Sequence, residues 1–244
     1  MDGIIGRRSL LDRTEKDLRN YTVLGERKAQ KIGIAHARAK KIIVLNLKGG
    51  VGKSTFSAGL ISQLIEKDNK VELIDFDNQQ STYGWAENIN DIPCQSYNPA
   101  MRSMSSMGMT LRVNADSDYI IMDSPANFSE PELTRYLRYA DYIIIPMQPS
   151  PVDLHASLPF INTLIEKHLY KRSNIKLGFV INRCFQRDDK LKRVMSLLSI
   201  FSQFKTLGVM SESDCYQEAF HYKQLMRIES LDKELWSGTL NWLR

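Results

Sequence analysis

The sequence predicts an α/β fold: a doubly wound, mostly parallel sheet flanked by helices. Three observations predict it. Short, continuously apolar runs rich in β-branched residues recur, as in Ile42-Ile43-Val44-Leu45, Tyr119-Ile120-Ile121-Met122-Asp123 and Tyr142-Ile143-Ile144-Ile145-Pro146. Such runs read as strands buried on both faces, the condition of a parallel strand inside a layered sheet. Between them lie stretches with apolar residues at helical spacing, clearest in Phe56, Leu60, Ile61, Leu64 and Ile65. A glycine loop, Lys48-Gly49-Gly50-Val51-Gly52-Lys53-Ser54-Thr55, joins the first such strand to the first such helix.

Along the chain, residues 1–40 read as a basic N-terminal extension, partly helical over 9–20 and again over 27–41, and residues 41–244 as one domain. Residues 1–41 carry eleven Lys/Arg against five Asp/Glu, so the net charge of +5 resides in this arm. An arm of that sign attracts nucleic acid or another anionic surface, or packs as a solvated appendage. The domain opens with the strand at Ile42, the glycine loop and a helix over 53–67. A strand over 71–75 completes a βαβ unit, which favours a right-handed crossover. The stretch from 93 to 114 carries no clear period; its methionines, Met101, Met104, Met107 and Met109, read as adaptable packing or a partner surface. A strand over 119–123 follows. Ser129 and Glu132 then form a capping box that starts a helix running to about 139. Next come a strand over 142–146, a helix over 153–168 containing Pro159, and a strand over 176–182. A helix over 191–201, a short edge strand over 207–210 and helices over 213–225 and 230–243 complete the alternation.

Composition narrows the class. Of 244 residues, 43% are apolar and 25% charged, an ordinary balance for a soluble globular protein. No run of apolar residues is long enough to span a bilayer, and the first residues lack a signal-like apolar stretch. Cys94, Cys184 and Cys215 form no CxxC pair, which argues against a zinc site or disulfide framework and for a reducing cytoplasm.

The glycine loop carries the chemistry. Its glycines let backbone N–H groups converge on one anion, and the helix start adds partial positive charge. In this setting Lys53 reaches the β- and γ-phosphates of ATP, the Ser54 hydroxyl ligates Mg²⁺ and Thr55 touches the α-phosphate. The strict pattern GxxxxGK[ST] is not met, since Leu47 stands at its first glycine. An extra lysine, Lys48, stands five residues before Lys53 instead. This resembles the deviant Walker A motif, KGGxGK[ST], of the ParA/MinD family, and most closely its plasmid and chromosome partition branch.

Further motifs agree with that resemblance. Asp75-Phe76-Asp77-Asn78-Gln79 resembles the family's DxDPQ segment, with Asn78 in place of proline. Asp123-Ser124-Pro125 resembles its Walker B strand end. Pro146-Met147-Gln148-Pro149-Ser150-Pro151-Val152-Asp153 resembles the PxxPSPxD stretch, and Glu218-Ala219 a late EA segment. The resemblance covers about residues 41–225 and implies a P-loop ATPase. In it Lys48, Lys53 and Asp77 are catalytic, Lys48 acting across a homodimer on the partner's phosphates and Asp77 orienting the attacking water. Gly49, Gly50, Val51, Gly52, Lys53, Ser54 and Thr55 hold the phosphates, and Asn182 and Arg183 the base. Ser54, Asp75 and Asp123 serve Mg²⁺.

The resemblance further implies an ATP-state homodimer that binds DNA without sequence preference, sits on the nucleoid and hydrolyses ATP when a ParB-like centromere- or cargo-binding partner stimulates it. Arg183, Arg187, Lys190, Lys192, Arg193, Lys205, Lys223 and Arg227 are candidate phosphate contacts. A membrane-associated MinD-like regulator and a P-loop biosynthetic ligase are the alternatives. The last helix, with Leu231, Leu235, Trp236, Leu240, Trp242 and Leu243 but only Lys233 and Arg244 as cations, reads as packing on the domain rather than as a membrane helix.

Overall fold

The computed structural model describes residues 30–97, 107–172, 174–185, 189–227 and 231–244. The chain divides into two units, 1–30 and 31–244, and the second is described below. The expected helix over 9–20 lies outside the described residues, as do Met101, Met104 and Arg187.

Among the described residues seven strands form one sheet: β2 (Lys40–Val44), β3 (Val71–Asp75), β4 (Cys94–Ser96), β6 (Tyr119–Asp123), β7 (Tyr142–Met147), β8 (Lys176–Cys184) and β9 (Lys205–Ser211). Their order is β4-β3-β6-β2-β7-β8-β9, and every pairing is parallel. Both faces are covered. Ile42 and Val44 of β2 face one core with Phe56, Leu60, Trp85, Tyr216 and Trp236. Ile43 faces the other with Tyr136, Leu154, Phe160, Ile161 and Val194. The period of two thus splits an all-apolar strand between two cores, which is why such strands show no polar alternation.

On the first face lie α1 (Lys53–Ile65), α2 (Ser81–Ala86), α7 (Asp214–His221) and α8 (Lys233–Trp242); on the second, α4 (Glu130–Leu137), α5 (Pro151–Thr163) and α6 (Asp189–Leu198). The Ser129 N–H donates to the Glu132 carboxylate at the start of α4, as the capping box predicts, and the Ser129 hydroxyl donates to the same carboxylate. Helix α5 begins two residues before the expected 153, because Ser150 caps it and Pro151 suits a first helical position. It continues past Pro159 and ends in a π-helical turn, Leu164–Leu169. Helix α8 buries Leu235 and Trp236 and is followed by the buried Leu243, so this apolar face is spent on the domain. No helix among the described residues is long and apolar enough to cross a membrane.

The expected boundary at residue 41, and a helix over 27–41, both need correction. A strand β1 (Lys31–Gly33) pairs antiparallel with β5 (Arg112–Asn114) in a separate two-stranded sheet. A 3-10 turn, Ile34–His36, then buries Ile34 completely. The cause is a buried carboxylate. Glu72 of β3 accepts from Asn114 N–H (2.5 Å), Ser117 Oγ (2.6 Å) and Lys31 Nζ (3.3 Å). Charge in a core is retained when it is hydrogen-bonded and paired, and one lysine of the basic stretch is used for that. A short helix, α3 (Met107–Thr110), precedes β5, and Met107 is buried in the core as adaptable packing.

Candidate functional site

The sheet changes winding direction at β2, where α1 leads to β3 on one side and the later β7 pairs on the other. In open α/β sheets ligands bind beyond the carboxyl ends of strands at such a point. The Asn46 amide fixes the start of the loop that follows β2, its Nδ2 donating to Pro146 O of β7 (2.8 Å) and its Oδ1 accepting from Lys48 N–H (2.9 Å). Gly50 and Gly52 adopt left-handed φ of 73° and 85°, which only glycine takes without strain. Gly52 then becomes the N-cap of α1.

A cavity of about 420 Å³ opens over this loop. Gly49, Gly50, Gly52, Lys53, Ser54 and Thr55 form its floor. Asp77, Asn182 and Arg183 also line it, and Met210, Ser211 and Tyr216 form the far wall. Val51 is buried beneath, presenting its carbonyl to Asn182. Lys53 is nearly buried, and its Nζ donates to Lys48 O at 3.3 Å. Burial lowers the Lys53 pKa, opposed by the Asp123 and Asp77 carboxylates. Lys48 does not line the cavity; its Nζ pairs with Asp153 of α5 at 2.6 Å, with the lysine side chain 41% exposed.

Two carboxylates lie under the floor. Asp75 and Asp123 are register partners on β3 and β6, and both are fully buried. The oxygens of Asp75 are engaged, Oδ1 accepting from Asp77 N–H (2.8 Å) and Oδ2 from Tyr83 N–H (2.9 Å). Asp75 therefore shapes the turn carrying Asp77. Asp123 Oδ2 accepts from the Thr82 hydroxyl, while its Oδ1 is buried with no hydrogen bond. The Ser54 hydroxyl lies against the same carboxylate. An orphaned carboxylate oxygen beside a hydroxyl at a phosphate loop fits a Mg²⁺ ion that arrives with a nucleotide, since this ion uses one or two protein ligands plus phosphate oxygens and water. Among the described residues no three His, Cys, Asp or Glu are grouped to cage a metal by themselves.

Burial, with Asp75 close by, pushes the Asp123 pKa up to about 7 from 3.8. The folded state then holds a proton that the unfolded chain releases. The ligand-free protein should be most stable below about pH 4 with respect to this group, losing that contribution as pH rises towards about 7. Asp123→Asn should flatten the decline in a pH series of denaturant midpoints; an unchanged slope would place the titration elsewhere.

Asn182, the amide expected at the base, lines the cavity and holds the loop. Its Nδ2 donates to Val51 O (2.8 Å) and its Oδ1 accepts from Arg183 N–H (2.9 Å). Arg183 spans the rim, with Nε 2.9 Å from Glu212 Oε2 and Nη1 3.3 Å from Gly50 O. Sequence reasoning missed Thr82, Glu212 and the Asp153 partner of Lys48. The only available signals were a hydroxyl five residues past Asp77 and the acid closing the PxxPSPxD stretch.

Fold and site together define a mononucleotide-binding protein of the doubly wound, phosphate-loop class. Residues 42–226 match the CobQ/CobB/MinD/ParA nucleotide binding domain, so the chain belongs to that family. It is 29% identical over 123 residues to the Maintenance of carboxysome distribution protein A of Gloeobacter kilaueensis, covering 50% of this chain and 56% of the relative. To the protein of that name from Halothiobacillus neapolitanus it is 28% identical over 152 residues, 62% of this chain and 69% of the relative. The chain thus spans little more than half the length of the first relative. A plasmid partition protein of Borrelia burgdorferi solved with AMPPNP superposes with a TM-score of 0.64 at 22% identity, covering 84% of this chain and all (100%) of that one.

Proposed function

We propose that the chain is an ATP- and Mg²⁺-dependent ATPase that dimerises on ATP, binds DNA without sequence preference on the nucleoid, and positions a DNA or other cargo when a ParB-like partner stimulates hydrolysis. The observation that carries this reading is the division of labour between two lysines of one loop. Lys53 is buried at the floor, where a triphosphate would meet it. Lys48 is turned out of its own cavity and held at the surface by Asp153. A cation that does not serve its own site is available to neutralise phosphate charge in a second copy, as arginine fingers do. Asp77, at the cavity wall, orients the attacking water, and the bound triphosphate supplies the electrophilic phosphorus. DNA contact draws support from Lys192 and Arg193, exposed on α6, and from Lys205 and Arg227. Arg183 and Lys223 contribute less, being paired with Glu212 and Glu87.

Size-exclusion chromatography with ATP, ADP and no nucleotide tests the reading. Wild type should elute as a dimer with ATP alone. Lys48→Ala should bind nucleotide normally, remain monomeric and hydrolyse roughly 10²-fold more slowly, less than the loss of a GTPase finger. A Lys48→Ala variant that dimerises and turns over like wild type would remove the basis for the in-trans role.

A further inference from the structure

Thr82, the second residue of α2, carries a hydroxyl beneath the nucleotide cavity without reaching it. The residue is fully buried, and it is not among those that line the cavity, although its neighbour Ser81 is. Its Oγ1 donates to Oδ2 of Asp123, the last residue of β6.

The backbone leaves that hydroxyl little freedom. Asp75 ties down both ends of the segment before it, since Oδ1 accepts from Asp77 N–H (2.8 Å) and Oδ2 from Tyr83 N–H (2.9 Å). Between those two points Gln80 turns the chain into α2 through a left-handed φ of 51°. A non-glycine residue keeps such a conformation only where its surroundings over-determine it. Thr82, one position before Tyr83, is therefore a fixed donor, and its β-branch stiffens χ1 further. A carboxylate by contrast turns easily about its last torsion, whose preference is broad and two-fold. A hydrogen bond to one of its oxygens sets the plane of the group.

In Asp123 the oxygen so held is Oδ2, while Oδ1 is buried with no hydrogen bond among the described residues. The Ser54 hydroxyl, on the cavity floor, lies against the same carboxylate. We infer that Thr82 is a positioning residue for Mg²⁺: by holding Oδ2 it keeps Oδ1, together with the Ser54 hydroxyl, ready for the ion that enters with the nucleotide. This role rests on the ATP- and Mg²⁺-dependent reading proposed above and adds to it a residue that touches neither nucleotide nor metal. Groups that orient a metal ligand from behind are typically worth about 10–100-fold in metal affinity.

Calorimetric titration of the full chain with ADP, with and without Mg²⁺, tests this on wild type, Thr82→Ser and Thr82→Val. The readout is the factor by which Mg²⁺ tightens ADP binding. Valine keeps the branched shape and removes the donor. Thr82→Val should bind ADP without Mg²⁺ as wild type does and lose about tenfold of the Mg²⁺ enhancement. Thr82→Ser keeps the donor and should keep the enhancement. If the valine variant does not fold, Thr82→Ala takes its place with the same expected loss. An undiminished enhancement in the variant without the hydroxyl means that Thr82 serves the fold alone, and overturns the inference. So does an equal loss of ADP affinity with and without Mg²⁺, or a loss in Thr82→Ser as large as in Thr82→Val. Wild type that shows no Mg²⁺ enhancement, or no ADP binding, overturns the nucleotide and Mg²⁺ reading itself and this inference with it.

Discussion

Gly52→Ala should sharply weaken nucleotide binding while leaving most of the fold standing. A Cβ at this position would lie 2.1 Å from Asn182 Nδ2, and the residue sits at a φ of +85°. The left-handed backbone alone costs a non-glycine residue about 1–3 kcal/mol. Displacing Asn182 also breaks its hydrogen bond to Val51 O, leaving a buried carbonyl unpaired at a further cost of about 1–3 kcal/mol. The strain falls on the loop that must cradle the phosphates. At about 1.4 kcal/mol per tenfold, ADP affinity should fall by roughly 100-fold or more. Gly84→Ala is the matched control. It lies within α2, and a Cβ there meets nothing within 4 Å. It should gain about 0.5–1 kcal/mol of stability and bind ADP as wild type does. Calorimetry and urea denaturation on the two variants decide the matter. Equal ADP affinities would mean that the loop does not need this conformation.

The second large effect is expected far from the phosphates. Trp236 of α8 is buried, stacks on Phe56 of α1 with centroids 5.4 Å apart, and donates from Nε1 to Tyr216 Oη at 3.0 Å. Gly59 of α1 lets it approach, since a Cβ at residue 59 would meet the indole at 2.8 Å. Truncating a buried aromatic of this size costs about 3–5 kcal/mol, a large part of the roughly 5–15 kcal/mol that keeps a domain folded. Trp236→Ala should therefore lower the urea midpoint sharply, and Trp236→Phe only in part. Because Tyr216 also lines the nucleotide cavity, its hydroxyl held by Asp232 at 2.8 Å, ADP affinity should fall along with stability. Wild-type stability in Trp236→Ala would contradict the packing of α8.

What could be read in the sequence follows from where each signal resides. Strands such as Ile42–Leu45 and Tyr142–Pro146 were legible because a strand covered on both faces has nothing polar to hide. The glycine loop was legible because its chemistry is local, with every participant within eight consecutive residues. The three-residue strands β1, β4 and β5 were not, being too short to show a period. The Lys48–Asp153 pair joins residues over a hundred positions apart, and nothing in either residue type names its partner. The contact of Asn182 with the loop was not legible, since the same amide that can pair with a base can equally donate to a main-chain carbonyl.

Glu72 bears on how this chain can be shortened. A cut at residue 41, where composition changes, would remove Lys31 from a carboxylate deep in the middle of the protein, and with it the edge partner of Arg112–Asn114. Lys31, though it sits in the basic stretch, is thus stitched into the domain through Glu72. A trimmed version that keeps this seam has to start ahead of Lys31.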